Sequence, residues 1–384
     1  MIRGIENTHM KILVLTNSGG GLYLFRRELM QRLVNEGHRV TVSVPSGEYD
    51  AQIRSLGCEL LPCGLLDRRG INPLTDLKLY TYYRRLLRDR QPDVVLTYTI
   101  KPDIYGAYAC RKEKIPYIST VTGLGSVFEG DGIKKRLLRA VVVRMYRAAL
   151  KDCRCLFFQN RANQQVFAAH GIKAKRQRLV NGSGVDLTAF PEHPLSAAGD
   201  GASGPPVQFA FIGRVMREKG IEEYLSAAAH IKKRYPETTF HVCGAKEEEY
   251  RGRLELAVQK GVVTYHGDIA DTAAFLKGIH CVVLPSYHEG MNNVLQEAAA
   301  SGRAAITTDI PGCREIVEDS KTGFLICVRD VNTLTEAMER FLHLSQEERD
   351  AMGRTARRKM EREFDRKLVT DAYMKEMIII CDGC

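Results

Sequence analysis

The sequence predicts an α/β protein built from two doubly wound, Rossmann-like domains that face a cleft, each a parallel sheet covered by helices. Three observations carry that expectation. Short runs rich in Val, Ile and Leu alternate with segments of helical period along nearly the whole chain. The alternation lapses once, at residues 187–206, where Gly, Pro and Ala dominate and no periodicity survives, as in a linker. The 384 residues are also long for one hydrophobic core and comfortable for two.

Residues 11–16 read as the first strand, 17–21 as a glycine turn, 22–36 as an amphipathic helix and 38–44 as the second strand. This is a βαβ unit with a phosphate-type loop. After Gly19, Gly20 and Gly21 no glycine follows until Gly37, and no acidic residue ends the second strand. The dinucleotide fingerprint is therefore missing, which weighs against a nicotinamide or flavin site. Helical patterns continue at 50–56, 74–89, 104–112, 134–151 and 162–170, with strands at 59–62, 93–97, 117–121, 155–159 and 179–181. Beyond the linker, strands at 207–212, 240–243, 262–266, 281–284, 304–307 and 323–326 alternate with helices. Helices at 332–344, 346–364 and 366–379 close the chain. The expected boundaries are 10–186 for the first domain, 187–206 for the linker, 207–364 for the second domain, and 365–384 for a C-terminal helix and tail.

A hydrophobic content of 44% beside 27% charged residues fits a water-soluble globular chain. No apolar run approaches the ~20 residues that span a bilayer, and residues 1–9 lack the apolar centre of a signal peptide. The eleven cysteines have no paired spacing except Cys381 and Cys384 at the chain end. They read as reduced cytoplasmic thiols, with the terminal pair incidental. The net charge of +10 is uneven. Residues 1–196 hold 31 Lys and Arg against 17 Asp and Glu, whereas residues 197–384 hold 25 against 29. The basic half calls for an anionic surface or polyanion as partner.

The densest chemistry lies around residues 281–297. An apolar strand ends at Pro285, Glu289-Gly290 makes a turn, and a helix opens at Asn293. A strand that passes through a glycine turn into a helix offers free backbone N–H groups at the C-terminal sheet edge, where α/β proteins hold phosphates. Glu289 and Glu297 flank that edge. Carboxylates repel phosphate and hold hydroxyls, so the pattern asks for a ligand bearing both, such as a nucleotide sugar. The strand at 207–212 leads into Gly213, Arg214 and Lys219-Gly220. Arg supplies a planar fork and Lys a compact charge, and together they can neutralise a diphosphate and the charge that grows as it departs. Either cation alone fits a solvated surface, and one Glu fits an ordinary helix. Their combination on one sheet edge points to a site.

Gly213-Arg214 with Lys219-Gly220, followed by Glu289 and Glu297 eight positions apart, resembles the retaining family 4 glycosyltransferases of the GT-B fold. The resemblance spans essentially all of residues 10–380. It implies an N-terminal acceptor-side domain, a C-terminal domain that binds the nucleotide sugar, and a C-terminal helix crossing back. By position, Arg214 and Lys219 would bind the donor diphosphate, Glu289 the hydroxyls of the transferred sugar and Glu297 the ribose hydroxyls. Backbone N–H groups of Gly290, Met291, Asn292, Asn293 and Val294 would cradle phosphate and sugar, and Gly19, Gly20 and Gly21 would face the diphosphate from the other domain. The segment around Gly244 and the region after Gly267 resemble parts that hold the base. Residues 67–73, 99–103 and 121–126 resemble bacterial enzymes that build lipid-linked glycans, including N-acetylgalactosaminyltransferases and capsule and lipopolysaccharide enzymes. Arg69, Asn72 and Lys101 then become candidates for the acceptor or donor side.

The resemblance implies retaining transfer of a HexNAc or hexose from a UDP-sugar to a polyprenyl-diphosphate-linked saccharide or other glycan. Many relatives carry a histidine after the strand at 117–121, and here that stretch has none. The leaving phosphate is then expected to take the acceptor proton, an expectation that a sugar trapped covalently on Glu289 would contradict. No Asp-x-Asp pair occurs in the chain, so no metal and no cofactor are expected. A catalytically silent sugar-nucleotide-binding subunit and a nucleotide-sugar epimerase-like enzyme remain the alternatives.

Residues 133–150 carry Lys134, Lys135, Arg136, Arg139, Arg144 and Arg147 with no acid, and Leu137, Leu138, Val141, Val142 and Met145 form a stripe. This pattern fits a helix lying in an anionic membrane interface, each cation contributing about 1 kcal/mol near such a surface. A helix that packs its stripe in the core and solvates its charges has the same pattern. Only Tyr146 interleaves with the cations, which argues against nucleic acid. The expected location is cytoplasmic, at the inner face of the membrane.

Overall fold

A computed structural model describes residues 9–66, 72–125, 127–128, 132–194 and 206–382. The chain divides into two compact units, Met1–Ser183 with Val369–Cys384, and Gly184–Leu368.

The first unit runs β1 (Lys11–Leu15), α1 (Gly19–Asn35), β2 (Arg39–Val44), α2 (Asp50–Ser55), β3 (Glu59–Pro62), α3 (Pro73–Arg90), β4 (Val94–Tyr98), α4 (Ala107–Glu113), β5 (Tyr117–Val121), α5 (Ile133–Leu150), β6 (Cys155–Phe158), α6 (Arg161–Ala169) and β7 (Gln177–Leu179). All pairs are parallel, in the order β3-β2-β1-β4-β5-β6-β7. Both faces are covered, which is why the strands read as continuous apolar runs. Ile12 and Val14 point into one core layer with Leu29 and Leu33, whereas Leu13 and Leu15 point into the other with Leu79 and Tyr83.

The second unit runs β8 (Gln208–Ile212), α7 (Ile221–Arg234), β9 (Thr239–Cys243), α8 (Arg251–Gln259), β10 (Thr264–Tyr265), α9 (Thr272–Leu276), β11 (Cys281–Leu284), α10 (Asn293–Ala300), β12 (Ala304–Thr308), β13 (Gly323–Ile326), α11 (Val331–His343) and α12 (Gln346–Lys359). Its six parallel strands take the order β10-β9-β8-β11-β12-β13. In this sheet the order reverses between β8 and β11, and in the first between β1 and β4. Such switch points are where open α/β sheets bind ligands. The last helix, α13 (Arg366–Asp382), passes into the first unit at Val369. There Tyr373 stacks on Phe157 at 4.2 Å and Glu376 accepts from Arg178 at 2.8 Å.

Several expected elements shift. The glycines at 19–21 form the first turn of α1 rather than a separate turn, because Ser18 caps the helix and accepts the Gly21 amide at 2.9 Å. The helix expected over 104–112 opens as a π-helical turn, Pro102–Gly106, consistent with a proline that has no N–H to donate. A second π turn, Met360–Phe364, ends the helix expected to run through 364. The strand expected at 179–181 sits at Gln177–Leu179, and the one at 262–266 shortens to Thr264–Tyr265. Part of the expected linker is structured on the second unit. Arg357 donates to Phe190 O and Arg303 to His193 O, each at 2.7 Å.

Candidate functional site

The loops after β8, β9, β11 and β12 are pressed together at one edge of the second sheet. Gly220 has φ +76, and a Cβ there would lie 2.1 Å from Pro285 O. Gly244 sits equally close to the next loop, with a Cβ position 2.2 Å from Gly213 O. Gly312 packs on the Glu289-Gly290 turn, 2.6 Å from Gly290 O by the same measure. Backbone bonds lock the loops: Gly213 N donates to Cys243 O at 2.9 Å, Tyr287 N to Glu218 O at 2.8 Å and Asn292 N to Gly312 O at 3.1 Å.

Onto this frame the sequence hangs its charges. Glu289 Oε1 accepts from Lys219 Nζ at 2.6 Å, from Ser286 Oγ at 2.7 Å and from Asn292 Nδ2 at 2.8 Å. Three donors on one oxygen fix the carboxylate. Oε2 takes no hydrogen bond from the described residues. Asn292 also caps α10, its Oδ1 accepting from Leu295 N at 2.9 Å. The first-turn amides of Asn293 and Val294 take no partner among the described residues and carry the positive end of the helix dipole. Glu297, one turn further along α10, is half-buried. Desolvation pushes its carboxyl up to about 7, against a smaller opposing pull from Arg366. Arg214 is the exposed member, 3.8 Å from Glu247 with its side chain 54% accessible.

The expected residues fall into different roles. Arg214, Lys219, Glu289 and Glu297 all leave the C-terminal edges of β8 and β11, the two strands that flank the switch point. Gly213 and Gly244 let backbones approach. Met291 belongs to the hydrophobic core. Asn292 works through its side chain, and its own amide goes to Gly312. Sequence reasoning passed over Ser286, Gly312 and Arg366. The Pro311-Gly312 turn after β12 repeats the strand–glycine pattern that marks the other loops.

In the first unit, Gly19 and Gly20 start α1 directly beyond β1, and a Cβ on Gly20 would lie 3.1 Å from the Tyr49 ring. Asn72 caps α3, accepting from Leu74 N at 3.0 Å and Thr75 N at 3.4 Å. Lys101 donates to Asp76 at 2.8 Å. Both side chains thus have structural partners. Arg69 lies outside the described residues. Of the stripe on α5, Leu138, Val142 and Met145 are partly buried, whereas Leu137 and Val141 are 68% and 50% exposed. The cysteines described are unpaired, and all but Cys327 are buried. Among the described residues no helix is long and apolar enough to cross a membrane, and no three His, Cys, Asp or Glu side chains group as metal ligands.

Two parallel-sheet units and a donor-rich edge at a switch point define a glycosyltransferase of the GT-B type. Residues 19–182 match the family described as Glycosyl transferase 4-like domain, and residues 206–343 match Glycosyl transferases group 1. The chain belongs to this glycosyltransferase family. It is 25% identical to the N,N'-diacetylbacillosaminyl-diphospho-undecaprenol alpha-1,3-N-acetylgalactosaminyltransferase of Campylobacter jejuni, over 95% of this chain and 98% of that one. It is also 25% identical to the UDP-Gal:alpha-D-GlcNAc-diphosphoundecaprenol alpha-1,3-galactosyltransferase of Escherichia coli, over 71% and 72%. The fold is shared with Anabaena HepE, solved in complex with UDP and glucose, at a TM-score of 0.77 and 16% identity, covering 96% of this chain and 99% of that one.

Proposed function

We propose that this chain moves a HexNAc or hexose from a UDP-sugar to a polyprenyl-diphosphate-linked saccharide, with retention at the anomeric carbon, at an anionic membrane surface and without a metal. The observation that carries the reading is the convergence of Lys219, Ser286 and Asn292 on one oxygen of Glu289, beside the open amides of Asn293 and Val294. The amides and the two cations suit a diphosphate, and the fixed carboxylate suits sugar hydroxyls. The names of the two relatives support the class of acceptor.

In this reading, Arg214, Lys219 and the α10 amides stabilise charge as the glycosidic C–O bond to the diphosphate breaks. The acceptor hydroxyl forms the new bond from the same face, and its proton passes to the departing phosphate oxygen. Glu289 orients the sugar. The two positive side chains take the place that a divalent ion would fill on the diphosphate.

A panel of UDP-sugars is assayed with a polyprenyl-diphosphate disaccharide, with and without EDTA. The expected result is acceptor-dependent UDP release unchanged by EDTA, and an axial linkage by NMR. Isomerised donor in the absence of acceptor would replace this reading by an epimerase. Donor binding without turnover would replace it by a silent subunit.

A further inference from the structure

The first unit holds a second concavity that the donor chemistry does not use. A cavity of about 620 Å³ opens between α3 and α5, lined by Leu77, Tyr80, Ile100, Tyr105, Val142 and Met145 among others. Most of its polar groups are already spent within the protein. Lys101 and Tyr105 OH both donate to Asp76, at 2.8 and 3.0 Å, and Tyr108 OH donates to Met145 O at 3.1 Å. Apart from the Tyr80 hydroxyl, what remains to face a ligand is ring and aliphatic carbon. A sugar would find few hydrogen-bond partners there, and an apolar chain would lose none.

The lining also has a direction. Ile100 and Lys101 directly follow β4, at the switch-point edge of the first sheet. Leu77 and Val141, also in the lining, are 60% and 50% exposed. Up to Val142, α5 buries no residue, and Ile133 and Leu137 are 86% and 68% exposed. The exposed Lys134, Arg136 and Arg144 lie on that helix, which has no acidic residue.

We infer that this cavity takes the first isoprene units of the acceptor's polyprenyl chain, with the cations of α5 beside its diphosphate. The inference rests on the acceptor class proposed above. A carbon-lined slot next to a cluster of positive charge matches a molecule that joins a diphosphate directly to a branched hydrocarbon. A bilayer acyl chain needs no path to the sheet edge, whereas an acceptor lipid must bring its head group there.

Farnesyl diphosphate is the probe, read by thermal shift and titration in vesicle-free solution, so that no turnover is needed. It should bind at least roughly tenfold more tightly than inorganic diphosphate or farnesol, since each buried CH₂ and each cation contributes. Val142→Asp should lose that preference and keep its midpoint shift with UDP, which reports an intact second unit. The exposed Leu77→Gln should weaken it severalfold and guards against misfolding of the buried variant. Equal binding of farnesyl diphosphate and diphosphate would overturn the inference, as would a preference that survives both substitutions. Displacement by short-chain phosphatidylglycerol at equal concentration would assign the slot to bilayer lipid and overturn it too. Prenyl selectivity without transfer in the acceptor assay would leave this site standing and sink the proposed reaction instead.

Discussion

Lys219 donates to Glu289 Oε1 at 2.6 Å, so the cation suited to a diphosphate rests on the carboxylate suited to a sugar. An ammonium has three hydrogens, and Lys219 can keep this bond while another reaches phosphate oxygen. In the proposed reading the pair couples the two ends of the donor. Lys219→Met and Glu289→Gln should each lower kcat/KM by roughly 10²- to 10³-fold. The double variant should lose less than the sum, by a coupling of about 1–2 kcal/mol. Strict additivity in a double-mutant cycle would mean the two act separately.

Arg214 presents the opposite case. Its side chain is 54% accessible and its nearest acid, Glu247, stands at 3.8 Å. A loose exposed pair contributes little to folding. Arg214→Ala should change unfolding stability by no more than about 0.5 kcal/mol while lowering turnover by roughly 100-fold. A stability loss as large as the activity loss, seen in denaturant melts, would recast Arg214 as a structural residue.

How much of this was legible follows from what sequence patterns encode. The strands around the site, β8 and β11, are short apolar runs ended by Gly213 and Pro285, and both are plain in the sequence. The four charged residues were legible because each lies within eight residues of such a strand end or, for Glu297, one helical turn inside the next helix. The bond between Lys219 and Glu289 was not, because it joins positions 70 apart through a β8–β11 adjacency that only the strand order supplies. Gly312 was missed for a like reason, since the β11–β12 adjacency brings it to Gly290, whereas the Ser286 bond to Glu289 spans only three positions and depends on the local loop path. The Gly19–Gly21 stretch was read as a turn because three glycines usually break a helix, and the Ser18 cap overrode that propensity. The slot between α3 and α5 escaped because a stripe of apolar residues looks the same whether a core or a ligand covers it.

Gly220 tests the frame. Its left-handed φ of +76 and the 2.1 Å approach of Pro285 O leave no room for a side chain. Gly220→Ala should destabilise the protein by more than about 2 kcal/mol and weaken UDP binding with it. Gly252 in α8 has no heavy atom within 4 Å of its Cβ position. Gly252→Ala should stabilise by about 0.5–1 kcal/mol and leave UDP binding alone. Thermal melts with and without UDP separate the two outcomes, and equal effects would remove the special role given to the Gly220–Pro285 contact.

Glu297 gives the site a pH dependence. Burial raises its carboxyl to about 7, with Arg366 pulling the other way, whereas the unfolded chain titrates near the ordinary value of roughly 4.3. Between those values the folded state binds a proton that the unfolded state does not. Its protonation therefore adds stability that is fully present below the unfolded value and lost as pH rises through about 7. Wild type should lose stability relative to Glu297→Gln as pH rises from roughly 4 to roughly 7, with little further change above that. Donor binding should run the other way, because only the ionised carboxylate accepts from two ribose hydroxyls at once. As pH drops from roughly 8 to roughly 6, UDP affinity should fall on the order of tenfold further in wild type than in Glu297→Gln. The phosphates of UDP titrate in this range as well, so the measured quantity is the difference between the two proteins. A difference that does not vary with pH would place the titrating group elsewhere and remove Glu297 from contact with the ribose.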